Sequence, residues 1–192
     1  MTIYIVRHGQ TNMNGVHALQ GRSDSPLNST GVEQARNVAH ALADRGVSFD
    51  AVYSSPLQRA VRTAHIIAPE VPIVVDERLI EMDYGPYEGA DLRNLSPELA
   101  TFFSDFVHNP APAGMEQLSH VVERAGCFIE DLRVLPEAAN VLVSTHAIAM
   151  KGLLEYLTPD SRGSYWSKYV GNCAVYGVER RGGNFGVPVQ II

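Results

Sequence analysis

Ile3-Tyr4-Ile5-Val6-Arg7-His8-Gly9 decides how this chain is read. Its first four residues are β-branched or aromatic, the composition of a short buried strand. They run directly into an arginine, a histidine and a glycine. A strand fixes the direction of the side chains at its end, so these groups have a defined position as well as a reactive character. The polar, Gly-containing stretch from Gly9 to Ser29 reads as a long loop, and such loops in compact domains usually carry function.

Outward from that stretch, strand and helix signals alternate. Thr30 and Glu33 form a capping box, Ala35, Val38, Ala39 and Leu42 share one face, and Gly46 ends the helix. Ala51–Tyr53 is a second strand. Ser55 as N-cap, Pro56 as first helical residue and Gln58 then start a helix with the buried stripe Leu57, Ala60, Val61, Ala64 and Ile67. Val71–Val75 is a third strand. A helix spans about Glu116 to Leu135, Asn140–Val143 is a strand, and His146–Leu157 is a helix stopped by Pro159. Cys173–Val178 is a strand, and the turn Gly182-Gly183-Asn184 leads to a last one at Val187–Ile191. The alternation predicts an α/β, three-layer sandwich: a mostly parallel mixed sheet, an antiparallel edge and helices on both faces. The region from Gly85 to about residue 115 differs. Ser96-Pro97-Glu98 starts a short helix with Leu99, Phe102, Phe103 and Phe106 on one face, and Pro110, Pro112 and Gly114 break it. It reads as a small helical cap inserted into one domain covering residues 1–192.

The bulk composition agrees. A chain of 192 residues, 45% hydrophobic and 19% charged, can bury a core and is not disordered. A net charge of −6 argues against broad nucleic-acid or anionic-membrane binding, which needs a basic face. Cys127 and Cys173, each in an apolar stretch, read as buried reduced thiols, and no Cys/His spacing resembles a zinc site. The apolar N-terminal run is too short for a signal peptide or a membrane span, which gives a cytoplasmic expectation. A homodimer is compatible with the sequence.

Ligands of such sheets bind beyond the carboxyl ends of the strands. The first strand ends in Arg7-His8-Gly9, the second in Ser54-Ser55-Pro56 with Arg59 one turn on, and the fourth in Ser144-Thr145-His146. If these strands are parallel, two histidines and two arginines converge. Guanidinium forks match phosphate oxygens, and helix N-termini add amide donors. Neighbouring cations favour a neutral, nucleophilic imidazole. Taken singly, a histidine after a strand is a structural hydrogen-bonder and a helical arginine a solvated one, so the argument rests on convergence.

Arg7-His8-Gly9-Gln10-Thr11 resembles the signature of the histidine phosphatase superfamily, which includes phosphoglycerate mutases and many phosphatases. Asn14, Gly21 to Leu27, Gly31 and Gln34-Ala35-Arg36 are similar to its first loop and helix. Ser54 to Ala60 with Thr63-Ala64 resembles its second block. Leu79, Glu81, Gly85, Glu88 and Gly89 resemble its acidic block, and Ser144-Thr145-His146 its last. The resemblance implies that His8 takes the phosphoryl group, that Arg7, Arg59, His146 and Asn14 hold its oxygens, and that Glu81 protonates the leaving oxygen and then activates water. Gln20, Gly21, Tyr84 and Ala147 complete the implied binding set, with no metal or other cofactor. The chain departs from the family at Ala147, where Gly is usual, and at Lys151, where Arg is frequent. Ala147 is harmless if it simply starts the helix, as the sequence from Ala147 to Met150 suggests.

Tyr84, Tyr87, Phe102, Phe103 and Phe106 either line a substrate pocket or pack the cap, and the helical spacing of the three phenylalanines suits packing. The leading expectation is a metal-independent phosphomonoesterase acting on a small phosphorylated metabolite. A phosphoglycerate-type mutase and a silent phospho-ligand binding module are the alternatives. The cap favours hydrolysis: between Gly85 and His120 its only Lys or Arg is Arg93, against Glu88, Asp91, Glu98, Asp105 and Glu116. Arg22, Arg62 and Lys151 are cations that other loops could bring to the site.

Overall fold

Strand β1 (Thr2–Arg7) lies inside the sheet, which is why Ile3, Ile5 and Val6 on its two faces are all fully buried. The computed structural model describes residues 1–192. On one side β1 pairs in parallel with β4 (Asn140–Thr145), on the other antiparallel with β5 (Val175–Arg181). Strands β2 (Ala51–Ser54) and β3 (Ile73–Val75) extend the parallel part. The hairpin strand β6 (Asn184–Phe185) and the short β7 (Val189–Gln190) both pair with β5. The result is a seven-stranded mixed sheet ordered β3-β2-β4-β1-β5-β6, the expected parallel body with an antiparallel edge.

Helices cover both faces. Val38, Leu42, Ala64 and Ile67, from α2 (Ser29–Ala43) and α3 (Gln58–Ile67), pack on Val6, Val52 and Leu142. Phe128, Ile129, Leu153 and Leu154, from α5 (Leu118–Asp131) and α6 (Ala147–Leu157), pack on Ile3, Ile5 and Val143. At roughly 1.5–3 kcal/mol for each buried aliphatic or aromatic side chain, these two interfaces hold the sheet rigid beneath the strand ends. A third cluster joins Leu99 and Phe102 of α4 (Pro97–Ser104) to Leu19, Met82, Val121 and Trp166, and so packs α4 against the loop after β1 and the start of α5.

Three local expectations are corrected. The loop after β1 contains a one-turn helix, α1 (Asn12–Gly15), closed by a capping box between Thr11 and Asn14. Helix α2 is capped by Asn28, whose Oδ1 accepts from the Gly31 amide at 2.8 Å, and not by Thr30 and Glu33. Helix α3 begins at Gln58, and its first amide donates to Asp24 Oδ1 at 2.8 Å. Ser55 is therefore not its N-cap; that hydroxyl is drawn into the site described below. In addition, Cys127 is exposed, because it falls on the face of α5 opposite Phe128 and Ile129, whereas Cys173 is buried.

Candidate active site

The carboxyl ends of β1, β2 and β4 are neighbours in register, Arg7 opposite Thr145 and Ser54 opposite Ser144, so the groups that follow them meet. The turn after β1 is tight. The Gly9 amide donates to Thr63 Oγ1 at 3.1 Å, and a Cβ on Gly9 would sit 2.3 Å from the Gly31 carbonyl oxygen. Only glycine lets α2 approach so closely. The contact presses the start of α2 against the loop that carries His8.

His8 is 3% exposed. Its Nδ1 lies 2.7 Å from the Gly9 carbonyl oxygen, which can only accept, so Nδ1 carries the proton. Nε2 then presents a lone pair, which accepts from Arg59 Nε at 3.2 Å. His146 is the N-cap residue of α6 and is fully buried. Its Nδ1 accepts from the same Arg59 Nε at 3.2 Å, so its Nε2–H donates to Ser55 Oγ at 2.7 Å. The rings are 5.0 Å apart. Burial first, then the charges of Arg7 and Arg59, hold His8 well below its usual 6.5, against the opposing bond to Gly9. Burial, then Arg59, does the same to His146. Both rings are neutral at physiological pH.

Arg59 is fully buried although it is an arginine. Its terminal nitrogens donate to the carbonyls of Gly21 at 2.6 Å and Ser23 at 2.7 Å. Glu88 fixes that loop from behind, accepting from the amides of Gly21 at 2.9 Å and Ser23 at 3.3 Å. Burial lowers the Arg59 guanidinium to about 10, which leaves it charged at neutral pH. Arg7 donates to the Val170 carbonyl at 2.6 Å, while its buried Nε has no protein acceptor. A buried donor without a partner costs about 1–3 kcal/mol, and an anionic oxygen would satisfy it.

Glu81 is 3% exposed and lies against the start of α6. Its carboxylate accepts from the amides of Met82 at 2.8 Å, Ala149 at 3.0 Å and Ile148 at 3.2 Å. It therefore sits at the same helix N-terminus that His146 begins. Ala147 is the first residue of that helix and has no positive φ, so the departure from glycine is accommodated without strain.

Asn14 and Gln20 belong to one network. Gln20 Oε1 accepts from Thr11 Oγ1 at 2.7 Å and Asn14 Nδ2 at 3.4 Å. Asn172, not singled out in the sequence, donates to the His8 carbonyl and to Asn14 Oδ1, both at 3.1 Å. Tyr84 is buried beside Gly21, and its phenol is pushed well above 10, mainly by that burial.

Of the aromatic candidates, Phe102 is core, Tyr87 bonds Glu98 on the outside of the cap, and Phe103 and Phe106 line a cavity of about 600 Å³ with Lys151, Trp166 and Tyr169. Lys151 donates to the Trp166 carbonyl at 2.7 Å, and burial lowers its ammonium to about 8. Arg22 is taken up by Asp83 at 3.3 Å and Glu116 at 3.5 Å, and Arg93 by Asp91 at 2.9 Å. Arg62 lies in a separate groove with Pro26 and His65. The sequence reading missed Arg162 and Lys168, which line the same cavity as Lys151. No helix is long and apolar enough to cross a membrane.

Two neutral imidazoles, two arginines and a carboxylate on one strand edge are the parts of a phosphoryl-transfer site, and comparison with known proteins agrees. The histidine phosphatase superfamily (branch 1) matches residues 3–189. A probable phosphoglycerate mutase GpmB of Serratia proteamaculans is 34% identical over 160 residues, 80% of this chain and 73% of that protein. The structure of Bacillus stearothermophilus YhfR has a TM-score of 0.85 at 31% identity, covering 97% of this chain and 94% of that one. A phosphoserine phosphatase variant from Entamoeba histolytica, in complex with phosphoserine, has a TM-score of 0.84 at 25% identity, covering 100% and 95%. The chain belongs to the histidine phosphatase superfamily, branch 1.

Proposed function

We propose that this protein hydrolyses phosphomonoesters through a phosphohistidine on His8, without a metal ion. The observation that carries this reading is the tautomer of His8: Nδ1 is spent on Gly9, and Nε2 offers its lone pair among the charges of Arg7 and Arg59. In the first half-reaction Nε2 attacks phosphorus, the bond to the leaving oxygen breaks, and Glu81 in its acid form gives that oxygen a proton. In the second, Glu81 takes a proton from water as the water oxygen attacks phosphorus, and the P–N electron pair returns to Nε2. Arg7 Nε and the Nε–H of Arg59 bind the oxygens in flight, and the N-terminus of α6 adds its dipole. Arg7 and Arg59 here supply the positive charge that a divalent ion supplies in metal-dependent phosphatases.

A mutase has the same first half-reaction and returns the phosphoryl group to another oxygen. The names of the sequence relatives favour it, and so do the cations of the adjoining cavity, which could hold a second phosphate. The acidic cap and the engagement of Arg22 and Arg93 by carboxylates favour hydrolysis. In the deciding experiment the enzyme, treated exhaustively with chelator, receives 3-phosphoglycerate with a trace of 2,3-bisphosphoglycerate and, separately, 4-nitrophenyl phosphate. Inorganic phosphate and 2-phosphoglycerate are then measured. Release of phosphate with no isomerisation is expected, and isomerisation outrunning phosphate release on every ester tried overturns the reading. His8→Ala should remove an acid-labile, base-stable phosphoenzyme together with turnover; substantial activity left in that variant removes His8 as nucleophile.

A further inference from the structure

The chain contains two lysines, Lys151 and Lys168, and both line the cavity of about 600 Å³ bordered by Phe106, Trp166 and Tyr169. Arg162 lines it too. In a protein of net charge −6 this is a concentration of positive charge at one place, and none of the three pairs with a carboxylate. Asp105 also borders the cavity, but its carboxylate is spent on His108 and on the amides of Val107 and His108.

The cavity adjoins the reacting groups. Lys151 lies five positions after His146 and two after Ala149, whose amide holds Glu81, and it interacts electrostatically with Glu81 and Arg7. Arg7 in turn donates to Val170, the residue after Tyr169. The Arg7–Val170 bond thus ties the wall of the cavity to a residue of the site.

The segment carrying the cations is held in place. Arg162 has a left-handed backbone, φ 53°, which an arginine adopts at a cost. Glu155 on α6 enforces it from both sides, accepting from Ser161 Oγ, the Gly163 amide and the Tyr165 amide. Strain enforced by a dedicated carboxylate points to a side chain whose placement matters. The walls are aromatic: Phe106 and Trp166 have centroids 6.3 Å apart, and Lys151 Nζ lies 5.2 Å from the Phe106 ring centre. The volume falls within the range of sites for drug-sized ligands and is far more than a three-carbon acid needs.

We propose that this cavity selects phosphomonoesters whose leaving alcohol is a ring system bearing an anionic group, the ring lying against Phe106 and Trp166 and the anion against Arg162 and Lys168. The proposal rests on the hydrolase reading above and names its substrate class. It is tested with the phosphate esters of 2-naphthol and of 6-hydroxy-2-naphthoic acid, and with 3-phosphoglycerate as the small acid. The naphthoate ester should have a kcat/KM about 10-fold above the naphthyl ester, the scale expected for charge-assisted contacts at a partly exposed site. Arg162→Asn, which tolerates the left-handed backbone, and Lys168→Gln should each draw that ratio toward one, and Lys168→Glu should invert it. A wild-type ratio near one, a ratio that none of the variants changes, or a preference for 3-phosphoglycerate over the naphthoate ester overturns the proposal. Direct fluorescence titration of 6-hydroxy-2-naphthoate and 2-naphthol keeps the test independent of turnover. Tighter binding of the acid, lost in the variants, supports the cavity even if no ester is hydrolysed, an outcome that would sink the hydrolase reading alone. Equal binding of the two overturns it.

Discussion

At the end of β1 the groups are locked: His8 is 3% exposed, Arg59 and His146 not at all, and every imidazole nitrogen has a protein partner. Beyond the first turn of α6 the cavity is the reverse, with Arg162 and Lys168 exposed and free of carboxylates, Lys168 Nζ lying 4.3 Å from the Tyr165 ring centre. The two regions follow different physical demands. Charge that develops on a transferring phosphoryl group is best met by dipoles already in position, which need no reorganisation. Selection of a leaving group tolerates mobile side chains, because each contact adds little and several add up.

The first way to break this contrast is Arg59→Ala. It removes the donor shared by both imidazoles and leaves the Gly21 and Ser23 carbonyls without their partner. A loss of about 10³-fold or more in kcat/KM on 4-nitrophenyl phosphate is expected. Arg59→Lys should recover little, since an ammonium cannot reproduce the guanidinium fork. A loss under tenfold would show that the locked arrangement is scaffolding only. Next, Glu81→Gln should lower kcat/KM, which reports the phosphorylation step, by about 10²-fold on alkyl phosphates while hardly affecting it on 4-nitrophenyl phosphate, whose leaving group needs little protonation. Equal losses on both would remove Glu81 as general acid.

Acid stability sharpens the contrast further. Unfolded histidines titrate at about 6.5, whereas folded His8 and His146 titrate well below that. As pH falls below 6.5 the unfolded chain therefore binds more protons, and stability is lost by up to about 1.4 kcal/mol per pH unit for each ring. Their contribution is fully present above that pH. Urea unfolding at pH 7 and pH 5 should show a shallower acid loss in His8→Asn than in the wild type, and the wild-type loss in Lys168→Gln. Identical slopes in all three would mean that the imidazole of His8 protonates in place. The smallest effect concerns the thiols. Cys173 is buried, with its thiol pushed up to about 12 and its amide on the Arg7 and His8 carbonyls, while Cys127 lies on the outer face of α5. A maleimide should label Cys127 alone in the native protein, and Cys127→Ser should shift stability by no more than about 0.5 kcal/mol.

What the sequence made legible follows the same division. Strands with alternating helices specify their own order, so the convergence of Arg7, Arg59 and His146 could be read from three short segments, and the structure brings them together. Two helix starts were misread: at α2 the neighbouring Asn28 took the cap two residues before Thr30, and at α3 the side chain with the right local spacing had a distant competitor. Asp24 caps α3 from another loop, and Ser55 turns to His146, contacts that no local pattern encodes. Arg162 and Lys168 lie in an irregular segment without periodicity, so nothing in their spacing pointed to a shared cavity. Cys127 was readable: Val121, Ala125, Phe128 and Ile129 mark the buried face of α5, and position 127 falls outside it.

Strand β1 has a further consequence for how the chain is made. It is synthesised well before its neighbours in the sheet, Thr2 pairing with Asn140 and Val6 with Val175. At about 5–20 residues per second, β4 follows β1 by roughly 7–28 seconds. Until then the apolar run Ile3-Tyr4-Ile5-Val6 has neither of its sheet partners. The long sequence separation of these contacts puts folding on the slow side for a domain of this size. His8 at the end of β1 therefore waits for β4, and for the His146 that follows it, before the site can assemble.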